Sequence, residues 1–544
     1  VGNFEQLINE NYYFVDKTSY IAELENYSAP VFLRPRRFGK TLLCSILECY
    51  YDINRADKFD TLFGNTWIGK NPTKEKNAHM VMRFNFSKVQ VSEKIEEIEE
   101  SFNSICDSSF RIFLSWYHHF FKDFKYVQSG ASTAVEKIIA YSKENNLPQL
   151  YIIIDEYDNF TNQLIQSHRD DMYSNLTTGD SFLRTFFKVI KAGIEEQSIR
   201  RCYITGVLPI TIDDLTSGFN IAEVITLEKR FADMLGFTQG EVDKYLQTIF
   251  DSYGFDNARL EEIRLLVKKY YNGYRFGLDS EKLYNSTIIS FFLKKFVTYN
   301  GEIPDDFIDD NVKTDVSWIR RLTVREENTR EMLEKLIFDS ELDYDYGMIK
   351  SKFNMNAFFE KDFYPVSLYY LGMITFKDRF TMTFPNQTMK KIFADYFNEV
   401  ENIDVSKGYT KYFAQFMKDL DLEKLFAGYF ETYIGRIPAQ CFDKANENFF
   451  RTTFFELCTR YLSRDFTFTV ETNYPSGRSD WEMLGKYHTE FSNLKWLVEF
   501  KHFSKAEAKA KKIAELEKPF DEDIKQILAY ERDILKDFPD YKIK

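Results

Sequence analysis

Short apolar runs alternate with longer amphipathic stretches through the first 230 or so residues. Residues 31–33, 80–86, 151–154, 201–205 and 222–226 read as strands, and the stretches between them read as helices. That alternation predicts a parallel sheet covered by helices. From Gly236 to about residue 297 the pattern is helical, and Thr238 followed three places on by Glu241 has capping-box spacing. Residues 301–310 read as an acidic linker. Residues 363–372 then predict a helix, followed by strands at 373–376 and 379–384 and a helix after Pro385, a winged-helix-like succession. Strand alternation returns at 466–472, 479–484 and 495–501, with a turn at 475–478. Residues 523–530 form an amphipathic stretch bearing Gln526, and residues 541–544 open a further strand, so the chain is expected to stop inside a sheet.

Chemistry concentrates at two ends of this pattern. The first strand runs into Arg34-Pro35-Arg36-Arg37-Phe38-Gly39-Lys40-Thr41-Leu42, an apolar strand and a basic turn opening a helix. A glycine allows close approach of backbone to phosphate, and the helix N-terminus presents unpaired N–H groups. A lysine reaches the outer phosphates, and a threonine hydroxyl completes a Mg²⁺ shell. The general pattern has a glycine where Arg34 stands. The strand at 151–154 ends in Asp155 and Glu156, with Asp158 just beyond. Asp155 is expected to hold Mg²⁺ through its water shell, and Glu156 to orient or deprotonate the attacking water. Thr205 ends the next strand. It reads either as a sensor of the terminal phosphate, lying between the carboxylate strand and the phosphate loop, or as a plain strand-end threonine before Gly206.

These strings, with Tyr12-Tyr13-Phe14-Val15-Asp16-Lys17-Thr18, Tyr203-Ile204-Thr205-Gly206-Val207, Gly236-Phe237-Thr238 and Tyr271-Asn272-Gly273-Tyr274-Arg275-Phe276-Gly277, resemble the bacterial AAA-ATPase-like family. In that family Arg34 at the first-glycine position is normal, and a C-terminal PD-(D/E)XK nuclease domain is typical. The resemblance implies an α/β multidomain chain. Its parts are a P-loop ATPase parallel sheet (1–235), a helical lid (236–300), a helical or winged-helix linker (301–435) and a restriction-endonuclease-like α/β domain (436–544). It implies ATP and Mg²⁺ as cofactors, with Arg36, Arg37, Phe38, Gly39, Lys40, Thr41, Leu42, Asp155 and Thr205 at the nucleotide. Lys229 and Arg230 lie where a cation contacts a terminal phosphate, or form a surface pair. The 271–277 motif reads as a packed turn.

At the C-terminal end, Asp480 and Glu499 come from adjacent predicted strands, and Lys501 follows Glu499 by two places on the same face. Two such carboxylates can share a Mg²⁺ that keeps several waters, with the carbonyl of Phe500 as a further ligand. A lysine beside it helps activate water and stabilise charge on a phosphate. The alternative is an Asp480–Lys501 ion pair on a solvated sheet face. The set resembles the PD-(D/E)XK nuclease site, which implies catalytic roles for Asp480, Glu499 and Lys501, metal ligation by Asp480 and Glu499, and a further glutamate from an earlier helix. Glu447 and Glu456 are the candidates, with Glu447 preferred. His488 and His502 lack metal-ligand spacing.

The 54 Phe and 35 Tyr fit packed domains rather than disorder. A net charge of −13 requires any nucleic-acid contact to be local, and Arg34/Arg36/Arg37, 505–512 and 320–330 are the basic clusters available. Cys44, Cys49, Cys106, Cys202, Cys441 and Cys458 are scattered without a CxxC, which suits a reducing cytoplasm and argues against structural zinc. No apolar run has membrane-span length and no signal-peptide pattern opens the chain; its start at Val1 implies that residues precede it. The expected partner is nucleic acid, DNA favoured over RNA, with a homo-oligomer or protein partner left open. One rival is a nucleotide-dependent switch whose C-terminal domain binds nucleic acid or protein without cutting. Another is a peptide- or carbohydrate-directed interaction protein in which both sites are relics.

Overall fold

The structure is a computed structural model that describes residues 2–215, 218–307, 327–406, 408–516 and 518–544. The chain divides into two compact units. The first contains residues 1–245, 274–287 and 343–380, and the second 246–273, 288–342 and 381–544.

The first unit is built on five parallel strands: β1 (Pro30–Leu33), β2 (Met80–Asn85), β3 (Leu150–Asp155), β4 (Ile199–Gly206) and β5 (Glu223–Val224). Their order across the sheet is β2-β3-β4-β1-β5. β3 is buried at every position, as its unbroken apolar run requires in a sheet covered on both faces. β4, which carries Thr205, lies between the phosphate-loop strand β1 and the carboxylate strand β3, as the sensor reading supposed. Helix α1 (Lys40–Tyr51) follows the turn after β1. Thr238 and Glu241 form the expected capping pair, with Thr238 N–H donating to Glu241 Oε2 (2.8 Å) and Glu241 N–H to Thr238 Oγ1 (3.3 Å).

The second unit holds a four-stranded sheet of β6 (Phe466–Tyr474), β7 (Gly477–Gly485), β8 (Leu494–Val498) and β9 (Lys542–Ile543), in that order. β6–β7 and β7–β8 are antiparallel, and the chain end adds β9 parallel to β8. Helix α2 (Glu447–Leu462) precedes the sheet and buries Phe449, Phe450, Phe454 and Phe455; helix α3 (Asp521–Asp537) follows it. β8 ends at Val498, so Glu499, Phe500 and Lys501 lie just past the strand rather than within it. The alternation survives: Phe500 is buried, while Lys501 reaches back to Glu499.

Residues 236–300 are shared between the units. The winged-helix-like succession is present as helix Tyr364–Tyr370, strands Thr375–Phe376 and Thr381–Thr383, and helix Gln387–Val400, with the division between units falling between its two strands. Residues 308–310 of the acidic linker, and 320–326 of the basic stretch, lie outside the described residues. Among the described residues no helix is long and apolar enough to cross a membrane, and all six cysteines are free and buried.

Candidate functional sites

The turn between β1 and α1 is held open by its backbone. Gly39 adopts φ +97°, the left-handed region that favours glycine, and caps α1; Arg37 is left-handed too (φ +71°). Lys40 is buried, and its ammonium donates to the carbonyls of Arg34 (2.9 Å) and Pro35 (3.0 Å), folding back over its own loop. Burial depresses its pKa, opposed by Glu156, Asp158 and Asp155 in that order. The ammonium thus rests on two carbonyls of its own loop and feels three carboxylates.

Asp155 is fully buried. Arg83 approaches its Oδ2 at 3.3 Å, whereas Oδ1 has no hydrogen-bond donor. Burial raises its pKa, with Arg83 and then Thr41 favouring the ionised form and Glu156 opposing it. A buried carboxylate oxygen without a donor beside a threonine side chain fits a hard cation such as Mg²⁺. Glu156 sits at φ +54°, and its carboxylate accepts from Asn159 Nδ2 (2.9 Å). A non-glycine residue in this region stores strain, a common mark of functional turns.

Two basic residues turn out to be structural. Arg34 is only 1% exposed, so it is no part of a nucleic-acid track. Its guanidinium donates to the carbonyls of Leu33, Thr226, Phe231 and Ala232 at 2.8–3.2 Å and lies on the rings of Phe32 and Phe276. Arg230 is bound to Glu228 (3.0 Å) and Glu23 (3.8 Å), a surface pairing. Thr205 is fully buried and donates its hydroxyl to Phe32 O (2.7 Å), the ordinary strand-end arrangement; sensing a phosphate would require breaking that bond. The 271–277 motif packs as expected: Tyr274 and Phe276 meet Phe38 edge-on at 5.1 and 5.2 Å. Beyond it, Asn285 Nδ2 donates to Arg36 O (3.0 Å) and Thr287 N–H to Arg37 O (3.2 Å), fastening the same loop.

In the second unit, the pairing Trp481↔Val498 sets Asp480 and Glu499 opposite each other one step further out. Asp480 N–H donates to Glu499 Oε1 (3.2 Å), and Phe500 N–H donates to Asp480 Oδ2 (2.9 Å). Lys501 Nζ lies 3.5 Å from Glu499 Oε2. Burial and then the Asp480 charge push the Glu499 carboxyl up to about 7, against the pull of Lys501. Burial disfavours the Lys501 ammonium, but Glu499, Glu447, Asp480 and Asp523 outweigh it and raise its pKa. Glu447 stands in the first turn of α2 and accepts the His502 N–H (3.0 Å), whereas Glu456 is fully buried against Arg460 and Asn398. Of the two candidate glutamates, Glu447 is the one whose charge raises the Lys501 pKa. Two facing carboxylates, one of them pushed up to about 7, with a lysine alongside, fit a divalent cation.

Residues 1–216 match the family model described as "Predicted AAA-ATPase", and residues 445–544 match the PD-(D/E)XK nuclease superfamily. The chain joins an AAA-ATPase-like domain to a PD-(D/E)XK nuclease-superfamily domain. A curated relative, the uncharacterized protein in the vnfD 5′ region of Azotobacter chroococcum mcd 1, is 24% identical over 287 residues, which are 51% of this chain and 47% of the relative. The chain thus spans about half the length of that relative. Among solved structures, the Walker-type ATPase of Pyrococcus abyssi is similar over 69% of this chain and 94% of its own, at 14% identity and TM-score 0.37.

The nuclease-superfamily domain contains a charged network the motif did not announce. Arg451 on α2 is buried, and its Nη1 donates to Asp480 Oδ1 (2.7 Å) while Nη2 donates to Glu471 Oε1 (3.0 Å) and Asn448 Oδ1 (2.7 Å). Glu471 is left-handed (φ +53°) where the β6–β7 ladder skips from Val470↔Trp481 to Thr472↔Ser479. The charges of Lys390, Arg451, Arg478 and Lys269, against burial, hold its carboxyl down at about 2. Gln526 donates to the Tyr530 hydroxyl, which in turn donates to Arg478 O (3.0 Å). The 505–512 run is an exposed helix Lys505–Ala510 and the turn after it, a solvated face. In the AAA-ATPase-like domain Asp158, given no role by the sequence, is structural: fully buried, it accepts from Val207 N–H (3.0 Å), Leu208 N–H (2.7 Å) and Asn162 Nδ2 (2.6 Å), clamping the turn after β4. A carboxylate three places past a strand-end acid was its only signal.

Proposed function

We propose that this protein is an ATP-binding ATPase whose nucleotide state governs a Mg²⁺-dependent nuclease acting on nucleic acid, DNA in preference to RNA. The observation that carries the reading is shared by the two domains: each holds a carboxylate whose charge is left under-compensated beside a lysine. These are Asp155, with a bare buried oxygen near Lys40, and Glu499, pushed up to about 7 near Lys501.

In the ATPase, Lys40 exchanges the carbonyls of Arg34 and Pro35 for the outer phosphates, and the N–H groups opening α1 receive the same charge. Thr41 and Asp155 would hold Mg²⁺, which neutralises phosphate oxygens. Glu156, anchored by Asn159, orients the attacking water. In the nuclease, Asp480 and Glu499 would hold the ion, and Lys501 steadies the water and the charge growing on the scissile phosphate. Residues 236–300 act as a helical lid and 301–435 as the linker.

Lys40→Ala is expected to abolish binding of a fluorescent ATP analogue; wild-type affinity in that variant would remove the turn from the reading. Asp480→Ala is expected to abolish Mg²⁺-dependent cleavage across a panel of DNA and RNA substrates. Retained cleavage would exclude Asp480 from the chemistry.

A further inference from the structure

Neither oxygen of Asp480 is free of a protein donor. Phe500 N–H holds Oδ2 and Arg451 holds Oδ1. Resting on the reading of Asp480 and Glu499 as a metal site, we propose that Arg451 is a placeholder cation: it neutralises Asp480 until a divalent ion binds, and must release Oδ1 for that ion.

The row of acids explains why a placeholder is needed. Glu471, Asp480 and Glu499 stand on or just past β6, β7 and β8; Asp480 shares Arg451 with Glu471, and its N–H meets the Glu499 carboxylate. Like charges directly opposite destabilise a sheet, and Asp480 is the middle one. Lys501 serves Glu499 from outside the sheet; Asp480 is served by Arg451 from α2. Arg451 is only 6% exposed, so its fork is not placed to grip an arriving polynucleotide, unlike Arg478 and Lys501, which face solvent. A buried guanidinium is stable only while paired.

The same network shows how Arg451 lets go without being stranded. Its Nη2 has two acceptors of its own, Glu471 Oε1 and Asn448 Oδ1, so Nη1 can leave Asp480 while the group stays anchored. Glu471 does not compete for the metal. Lys390 and Arg478 each lie 3.5 Å from it, and its carboxyl is held fully ionised by fixed cations. Arg451 is thus a positioning residue. It presets the Asp480 rotamer and opposes the metal by one charge, which keeps intrinsic metal affinity low.

The test is Mn²⁺ binding by the full chain, with wild type and variants all compared in an Asp155→Asn background that silences the other expected Mn²⁺ site, followed by titration calorimetry and Mn²⁺ electron paramagnetic resonance, with thermal melting as a check on folding. Removing an ordinary partner of a metal ligand lowers metal affinity by about 10–100-fold; a placeholder cation calls for a change of the opposite sign. Arg451→Gln is expected to bind Mn²⁺ roughly tenfold more tightly than wild type while cleaving more slowly. Arg451→Lys, whose single ammonium cannot hold Asp480 and Glu471 together, is expected to tighten binding by about threefold, and it carries the test should Arg451→Gln not fold. A merely structural arginine would loosen metal and slow cleavage together, so weaker or unchanged Mn²⁺ binding in both variants overturns the proposal. Asp480→Asn separates the underlying reading: if wild-type Mn²⁺ binding survives it, the metal is elsewhere and both statements fall. Should wild type bind no Mn²⁺ and Arg451→Gln bind it, the placeholder is supported; should neither bind, the metal reading fails with it.

Discussion

At the scale of single residues, burial decides which charges are chemical and which are architectural. Arg34 and Lys40 are six positions apart and equally hidden, yet Arg34 spends its fork on four carbonyls and two rings, whereas Lys40 rests on two carbonyls of a loop that can exchange them. Arg34→Ala should therefore cost about 3 kcal/mol or more in urea unfolding, since it leaves several buried acceptors without a donor; Lys40→Ala should cost far less. Glu499 gives a pH signature. Its folded pKa of about 7 exceeds the ordinary 4.5, so between those values the folded protein binds more protons than the unfolded chain. The Glu499 contribution to stability is then greatest below 4.5 and declines as pH rises toward 7. Without metal, the melting temperature of wild type should fall across that window relative to Glu499→Gln, measured by calorimetry in matched buffers; parallel curves would contradict the shift.

At the scale of elements, the strands were readable because parallel strands buried on both faces must be apolar runs, and β1 to β4 each appear within two residues of their predicted bounds. Gly39-Lys40-Thr41 and the Asp480/Glu499/Lys501 set were readable because their chemistry is local to one turn or to two facing strands. Arg451, Lys390 and Asp158 were not. Arg451 meets Asp480 across 29 positions, and Asp158 meets the Val207 N–H across 49, so no short window contains the pair. Arg34 misled for the opposite reason, since a run of Arg34, Arg36 and Arg37 looks like a surface patch until the fold buries its first member. The loop element itself can be tested through Gly39. A Cβ there would meet only Ser286 Oγ at 3.7 Å and Leu235 Cδ2 at 4.0 Å, so space is not the constraint. Gly39→Ala should lose about 1–2 kcal/mol through its left-handed backbone alone. Gly39→Asn, which tolerates that region better, should recover part of the loss in the same denaturation experiment.

At the scale of the whole molecule, the proposed control of the nuclease by nucleotide state can be tested along the path of the chain. The chain leaves the second unit after Gly273, contributes 274–287 to the first, and returns at Ile288. Inside the first unit that segment packs on Phe38 and fastens the Arg36 and Arg37 carbonyls. Immediately before it, within the second unit, Tyr270 donates to Phe468 O (2.7 Å) and Lys269 to Val470 O (3.1 Å) and to Glu471 O. Residues a few positions apart thus hold the phosphate loop in one unit and strand β6, with its left-handed Glu471, in the other. Coupling needs an element with two arrangements that both sites bias, and this covalent crossing is a candidate for it. Hydrogen–deuterium exchange with a non-hydrolysable ATP analogue should show altered protection at 466–474 as well as at 36–51. Lys269→Met should erase the response at 466–474 and leave that at 36–51 intact, because the amine capping the interrupted β6 ladder is gone while the phosphate loop is untouched. Nucleotide protection confined to 36–51 in the wild-type protein would mean that the two domains run independently.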